Sequence, residues 1–251
     1  MLMRTKLIVA AGVAAALAGC GSIGALDTPN ASVPRATTTT LIYRPAIDPA
    51  RFTTRVTNPY WPMAKGTTWV YRGTKDGAAQ REVVVVKRAT RRIMGVRTVT
   101  VEDRVFSGGR LAERTTDWYA QDAVGNVWYF GEASRDYDRG RVSTRGSWRA
   151  GVDGAQPGIV VKAQPRPGGP TYRQEWRPGV AEDMGRVVGV GAIARVPAAT
   201  YMGVLETLDT DGLNPGRREH KVYAPGVGPI QARSTGSGPA EELELIRITR
   251  P

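Results

Sequence analysis

From residue 58 onward, apolar side chains recur at every second position in short runs, and glycine or proline closes nearly every run. This texture constrains the fold more than any other feature of the chain. A period of two gathers apolar side chains on one face only when the backbone is extended. Val99 and Val101, set between Thr98, Thr100 and Glu102, show the pattern. It predicts strands over 67–71, 81–87, 96–106, 111–119 and 126–130, then over 159–163, 172–176, 186–190, 203–207, 219–223, 229–234 and 243–249. Asp76-Gly77, Gly108-Gly109 and 122–125 are turn sequences between them. Short strands joined by tight turns form an antiparallel meander, since parallel neighbours need long crossovers. Past the first twenty residues no window carries a 3.6-residue period, although 181–187 has room for one helical turn. The glycine- and proline-rich stretch 139–170 reads as an ordered excursion between two batches of strands. The expected fold class is all-β, a single domain (58–251) whose antiparallel meander forms a curved sheet, half-barrel or sandwich.

The N-terminus has a different character. Arg4 and Lys6 precede an apolar run over 7–18, shorter than the about 20 residues a membrane-spanning helix needs. A basic segment before a short apolar one is the layout of a secretory signal peptide. The run ends Leu17-Ala18-Gly19-Cys20, which resembles the lipobox of bacterial lipoproteins. That resemblance implies cleavage before Cys20, diacylation of its sulfur and acylation of the new amine. The other reading is an incidental cysteine beside an ordinary cleavage site. Cys20 is the only cysteine in the chain, which also excludes a disulfide scaffold. Each buried lipid methylene contributes about 0.8 kcal/mol, so two or three acyl chains would anchor the protein without its spanning the bilayer. Residues 1–19 are thus expected to be removed, and 20–57 to form a linker. Pro29, Pro34, Pro45, Pro49 and the run Thr37 to Thr40 keep that linker solvated and disordered, a tether of which parts, such as Leu41-Ile42-Tyr43, have apolar area to dock on the domain.

Charge narrows the partners. Removal of 1–19 takes away Arg4 and Lys6, lowering the formal charge from +12 to +10, and 29 of the 35 basic residues are arginine. Arginine keeps its charge at any biological pH and binds phosphate with a planar fork. In the cytosol such a balance would suggest nucleic acid. An extracytoplasmic, lipid-anchored protein meets other polyanions, namely anionic lipid head groups and cell-wall polymers. No nucleic-acid role is expected, and solubilisation of exposed strand faces is the plainer use of the arginines. The membrane in question is the cell membrane or an outer membrane.

Residues 58–235 also resemble a family of uncharacterised bacterial secreted proteins and lipoproteins. The segments that carry this are Asn58-Pro59-Tyr60-Trp61-Pro62, Gly66-Thr67-Thr68-Trp69-Val70-Tyr71 and Asp117-Trp118-Tyr119-Ala120-Gln121-Asp122. Gly125-Asn126-Val127-Trp128-Tyr129-Phe130-Gly131-Glu132 and Lys221-Val222-Tyr223-Ala224-Pro225-Gly226-Val227-Gly228 continue it. The resemblance implies no activity. The sheet-and-turn pattern is similar to the curved half-barrel of lipoprotein carriers, which is fold analogy and implies no function.

Chemistry-bearing residues are sparse. His220 is the only histidine, it sits on an alternating strand, and no serine occupies a Gly-x-Ser-x-Gly elbow, so nothing spells a nucleophile and its base. One histidine and a cysteine committed to lipid leave no zinc or copper set. The loops Asp136-Tyr137-Asp138 and Asp209-Thr210-Asp211 lack the distal glutamate of a calcium loop and read as Asx turns. No cofactor motif is present. Asp117, Asp122, Glu132, Glu175, Glu182, Asp183 and Glu219 could supply a glycosidase-like acid pair, or serve as structural ion pairs and turn caps. Trp118, Tyr119, Trp128 and Tyr129 lie on neighbouring strands, and alternation sends each adjacent pair to opposite faces, one set filling the core and the other facing a groove or solvent. The candidate ligand face therefore comprises Trp118, Tyr119, Asp122, Trp128, Tyr129, Glu132, Glu175, Glu182, Asp183, Glu219 and His220. The expected function is a non-catalytic envelope lipoprotein of binding or structural role, holding an apolar or glycan ligand. An acid-pair hydrolase, or a protein-interaction module built on an edge strand and the arginine-rich 87–97, are the alternatives.

Overall fold

The computed structural model describes residues 43–251, and within them the alternating runs are strands of one antiparallel sheet. In chain order these are β1 (Phe52–Thr53), β2 (Thr68–Lys75), β3 (Ala78–Ile93), β4 (Val96–Ser107), β5 (Arg110–Asp122), β6 (Val127–Asp138), β7 (Arg141–Ser143), β8 (Trp148–Arg149), β9 (Gln156–Val161), β10 (Tyr172–Arg173), β11 (Glu175–Trp176), β12 (Asp183–Val196), β13 (Ala199–Asp211), β14 (Arg217–Ala224), β15 (Gly228–Gly236) and β16 (Glu241–Thr249). The chain is all-β, as its period-two texture requires. The single helical turn expected at 181–187 does not form: β12 pairs with β13 from its first residue, Asp183 opposite Asp211. The excursion over 139–170 contains three short strands, β7, β8 and β9, all of which pair with β6.

Topology turns this sheet into a container. The strands from β2 to β6 follow one another as hairpins, as do those from β12 to β16, and β16 lies beside β2, joining the two halves. The outer ends of the halves, β9 and β12, meet across residues 172–176. Tyr172 and Arg173 pair with Gly185 and Met184 of β12. After Gln174, Glu175 and Trp176 pair with Pro157 and Gln156 of β9. This five-residue strap bridges both ends, so the sheet curls into a nearly closed barrel with a lumen and an outer wall.

Two hairpins overshoot the barrel at the same end. Thr68, the first residue of β2, lies opposite Val85, so the rest of β3 up to Ile93 runs past β2 and is paired by β4 alone. Likewise β14 reaches only to Leu205 of β13, leaving 199–204 beyond it. Trp69 donates its indole N–H to the Val227 carbonyl (2.8 Å), which fixes the start of β2 and the end of β14 at one end of the molecule.

The proline-rich stretch before residue 58 is where the expectation needs correcting. Residues 1–42, with the signal peptide, Cys20 and most of the expected linker, lie outside the described residues. Residues 43–57, however, are laid against the barrel instead of standing off as a spacer. The Tyr43 hydroxyl donates to the Pro157 carbonyl (3.0 Å), and β1 pairs with Asp122 and Gln121 at the end of β5. Phe52 stands edge-on to Trp128 (6.0 Å) and Phe130 (5.5 Å). The backbone N–H groups of Thr57 and Asn58 both donate to Gln121 Oε1. Proline excludes helix but not an extended chain lying on a sheet, and this strip covers aromatic surface that would otherwise meet water. Phe52→Ala is expected to lower stability by about 1–2 kcal/mol, because it removes a half-buried ring and two edge contacts. Urea unfolding measures it directly.

Candidate functional site

Cross-strand partners share a face of the sheet, so register alone sorts the side chains. Trp69 and Tyr71 of β2, opposite Val84 and Glu82 of β3, point into the lumen. At the end near the overshooting hairpins the lumen is aromatic. Tyr119 stacks on Tyr129 (4.8 Å, 19°), Trp61 leans on Tyr119 (5.1 Å), and Trp148 meets Tyr129 edge-on (5.3 Å). Most of the polar tips are satisfied: the Tyr71 hydroxyl donates to the Pro229 carbonyl, the Tyr129 hydroxyl to Asp117 Oδ1 and the Trp148 indole to Glu175 Oε2, while the Tyr119 hydroxyl finds no hydrogen-bond partner among the described residues.

Beyond the rings the lumen is filled with carboxyl groups. Glu82, Asp103, Asp117, Glu132, Glu175 and Glu241 are each at most 3% exposed, and Asp183, Asp209, Asp211 and Glu219 at most 8%. Two lysines answer them. Lys221 Nζ lies 3.1 Å from Asp209 and 3.3 Å from Glu219, and Lys75 lies 3.1 Å from Glu241. An uncompensated buried carboxylate is costly, so the acid takes up a proton instead. Burial and the nearby Asp103 push Glu82 well above the usual carboxylate range, and Glu82 hydrogen-bonds Asp103. Two carboxyl groups can bond only when one of them carries a proton. Burial, then Glu175 and Asp211, raise Asp183, and burial raises Glu219 to about 7 even with Lys221 beside it. Burial opposes the charge on Lys221, but Glu219 and Asp209 outweigh it and hold the ammonium well above its ordinary range.

This polar half is tightly filled. A cavity lined by Asp183, Asp209, Asp211 and Glu219 measures about 20 Å³, room for a water molecule and not for a sugar ring. Arg217 and Arg218 complete its wall. Among the described residues no group of three or more histidine, cysteine or acidic side chains has a metal-holding arrangement.

The outer wall carries a larger depression, of about 290 Å³, lined by Arg91, Trp118, Arg149, Val152, Asp153 and Arg177 among others. Arg91 comes from β3 and its guanidinium lies 4.4 Å from the centre of the Trp118 ring on β5. Gly131, with φ of 127°, lets the Trp148 carbonyl come so close to β6 that a Cβ would collide with it, and this seats β8 and Arg149 at the rim. Arg177 is locked by donating to the Ser147 carbonyl (2.7 Å) and to Asp153 (3.1 Å).

The residues expected to share one ligand face do not all come together. Tyr119, Tyr129, Glu132, Glu175, Asp183 and Glu219 are buried in the barrel filling, and of these Glu132 also borders the outer groove beside Trp118. Trp118 lines that groove but is itself buried, 4% exposed, with its ring under Arg91. Trp128 is covered by Phe52 and donates its indole N–H to Asp122. Asp122 is a turn cap that also accepts from the backbone N–H groups of Val124, Gly125 and Asn126, and these bonds hold it below its ordinary range against partial burial. Glu182 accepts from Gly179 N. His220 lies on the outside, 3.1 Å from Glu206. The loop at Asp211 is an Asx turn, accepting from Leu213 N and Asn214 N. Glu82, Asp103 and Glu241 are not among the expected site residues, although each sits in phase with inward-facing apolar neighbours, Glu82 with Val84 and Asp103 with Val101 and Val105. That phase was the available signal. Asp209, expected in an Asx turn, lies in the barrel filling beside Lys221.

Comparison with known proteins adds little beyond this geometry. No family model matches the chain, and no curated protein does. Among solved structures, an exported-protein candidate from Bacteroides fragilis with a YmcC-like fold is similar at 13% identity and a TM-score of 0.46, covering 76% of this chain and 99% of that one. A lipoprotein candidate from Parabacteroides distasonis is similar at 11% identity and a TM-score of 0.43, covering 76% of this chain and 98% of that one.

Proposed function

We propose that this protein is a lipid-anchored module of the bacterial envelope that binds its ligand without turning it over. Its binding site is the outer groove at Trp118. The observation that carries the reading is an indole lying beneath the Arg91 guanidinium in a depression of about 290 Å³, with Arg149 and Arg177 on its rim. The Trp118 ring is itself buried, 4% exposed, with Arg91 over its face, so the ligand contacts fall to the arginines, which recognise carboxylate or phosphate. The ligand class is an acidic glycan, bearing uronate or phosphate groups and held by its charges. Against hydrolysis, the acid-lined cavity has room for only one water and has two arginines in its wall, whereas an acid pair needs space for a sugar between its carboxyl groups. The anchor rests on the basic segment, the apolar run and Cys20.

Two measurements test the reading. Mass spectrometry of protein extracted from its own membranes is expected to find Cys20 at the amino end carrying acyl chains, and an unmodified, uncleaved end would overturn the anchor. Calorimetry with uronate- or phosphate-bearing oligosaccharides is expected to show binding that Arg149→Ala weakens about tenfold or more, with the melting temperature unchanged. Equal affinity for neutral oligosaccharides, or hydrolysis of any of them, would overturn the groove assignment.

A further inference from the structure

The overshooting hairpins have a composition unlike the rest of the chain. Residues 88–97 contain Arg88, Arg91, Arg92 and Arg97 and no acid, and all four arginines are exposed. Residues 186–204 contain Arg186 and Arg195, both exposed, and again no acid. The second hairpin is otherwise largely apolar, and while Val187, Val196 and Val204 are buried, its other face meets water: Ile193 is 65% exposed and Met202, its cross-strand partner, 73%, with Val188 and Val190 at 38% and 41%. Met94, at the turn of the first hairpin, is 38% exposed. Isolated exposed apolar residues need no explanation, but a cluster on one projecting hairpin does. Past Gly185 the outer edge of β12 is paired by no strand among the described residues.

We infer that these two hairpins form a docking surface for an anionic lipid bilayer, the arginine hairpin meeting head groups while Ile193 and Met202 enter the interface. Charge separation within the molecule favours this occupant. Many of the acids are buried inside the barrel and neither hairpin carries one, so the two hairpins present cations and apolar side chains together, the combination that binds anionic interfaces. The chain leading back toward Cys20 crosses this same end, where Pro49 packs on Gly95 at the turn of the arginine hairpin and Pro59 accepts from Gly226 N. The inference rests on the lipid-anchored reading only in that the anchor brings the domain to a membrane. Arg91 belongs to the groove at Trp118 as well as to this hairpin, and the test below leaves it unchanged. Residues 21–42 could reach roughly 70 Å if extended, so an anchor alone would not press either hairpin against the bilayer.

The test uses the full lipidated protein carrying Met202→Cys, labelled with a polarity-sensitive fluorophore and reconstituted on neutral or phosphatidylglycerol-containing vesicles. Flotation on neutral vesicles reads the anchor by itself and separates its failure from failure of the hairpins. On anionic vesicles the label is expected to shift to the blue and to be quenched by lipid-borne quenchers. The double variant Arg88→Glu, Arg92→Glu is expected to abolish that response while flotation persists. A label at Val142→Cys, exposed on β7 at the far end of the barrel, is expected to stay wet throughout. A Met202 label that stays wet on anionic vesicles would overturn the inference. So would equal burial of the Val142 label, or a shift that follows protein concentration without vesicles, which would mark self-association.

Discussion

Raising the pH from about 5 to about 8 is expected to destabilise the domain. Glu219 has its folded pKa raised from 4.5 to about 7, and Glu82 and Asp183 are shifted in the same direction. Between the unfolded and folded values the native state holds a proton that the unfolded chain has lost. Stability from such a group is complete below the unfolded value and disappears as pH rises through the folded one. Glu219 alone accounts for about 3 kcal/mol at 1.36 kcal/mol per unit, which corresponds to a fall of roughly 6–12 °C in melting temperature for a domain of this size. The opposite sign applies at lower pH, where Asp122, held down by its turn bonds, and Glu102, held down by Arg114, Lys87 and Arg104 despite partial burial, take up protons and release those partners. Maximum stability is therefore expected near pH 5. Scanning calorimetry across the range reads it, and Glu219→Gln should flatten the alkaline limb.

Lys221→Met is the substitution expected to cost most. The ammonium is fully buried between Asp209 and Glu219, and removing it leaves two carboxyl groups facing each other without a counter-charge. Breaking a buried pair from one side costs about 3–5 kcal/mol. The loss should be smaller near pH 5, where Glu219 is already neutral, and larger near pH 8. Urea unfolding of the variant at both values separates this from a simple packing defect, which would cost the same at each.

Much of this fold was readable in the residues. Alternation through Val99, Val101 and Val105 demands strands, and it sends Trp118 and Tyr119 to opposite faces of the sheet, although both rings are buried. The strap could not be read, because 172–176 looks like one strand, and only the pairing of its halves with β12 and β9 shows that it bridges two edges. Nor could the acid filling. Period two gives the phase of Glu82 and Asp103 but not whether a carboxyl group in that phase is neutral. In a chain with 35 basic residues, a surface ion pair is the simpler assumption for any acid. The barrel shows why the assumption fails: a ring of this many strands encloses more volume than three phenylalanines and a few larger rings can fill, and short carboxyl side chains sharing protons occupy the remainder. The pairing of Arg91 with Trp118 was equally hidden, since β3 and β5 meet only through β4.

A lumen closed by shared protons, with ligand and membrane met on the outside, makes one prediction at the level of atoms. Carboxyl carbon NMR of the folded protein, titrated from acid to alkaline pH, should show Glu82 and Glu219 still protonated at about pH 6, above the usual carboxylate range. Both signals moving below about pH 5 together with the exposed acids would contradict it, since the barrel would then be open to water and free to hold a ligand of its own.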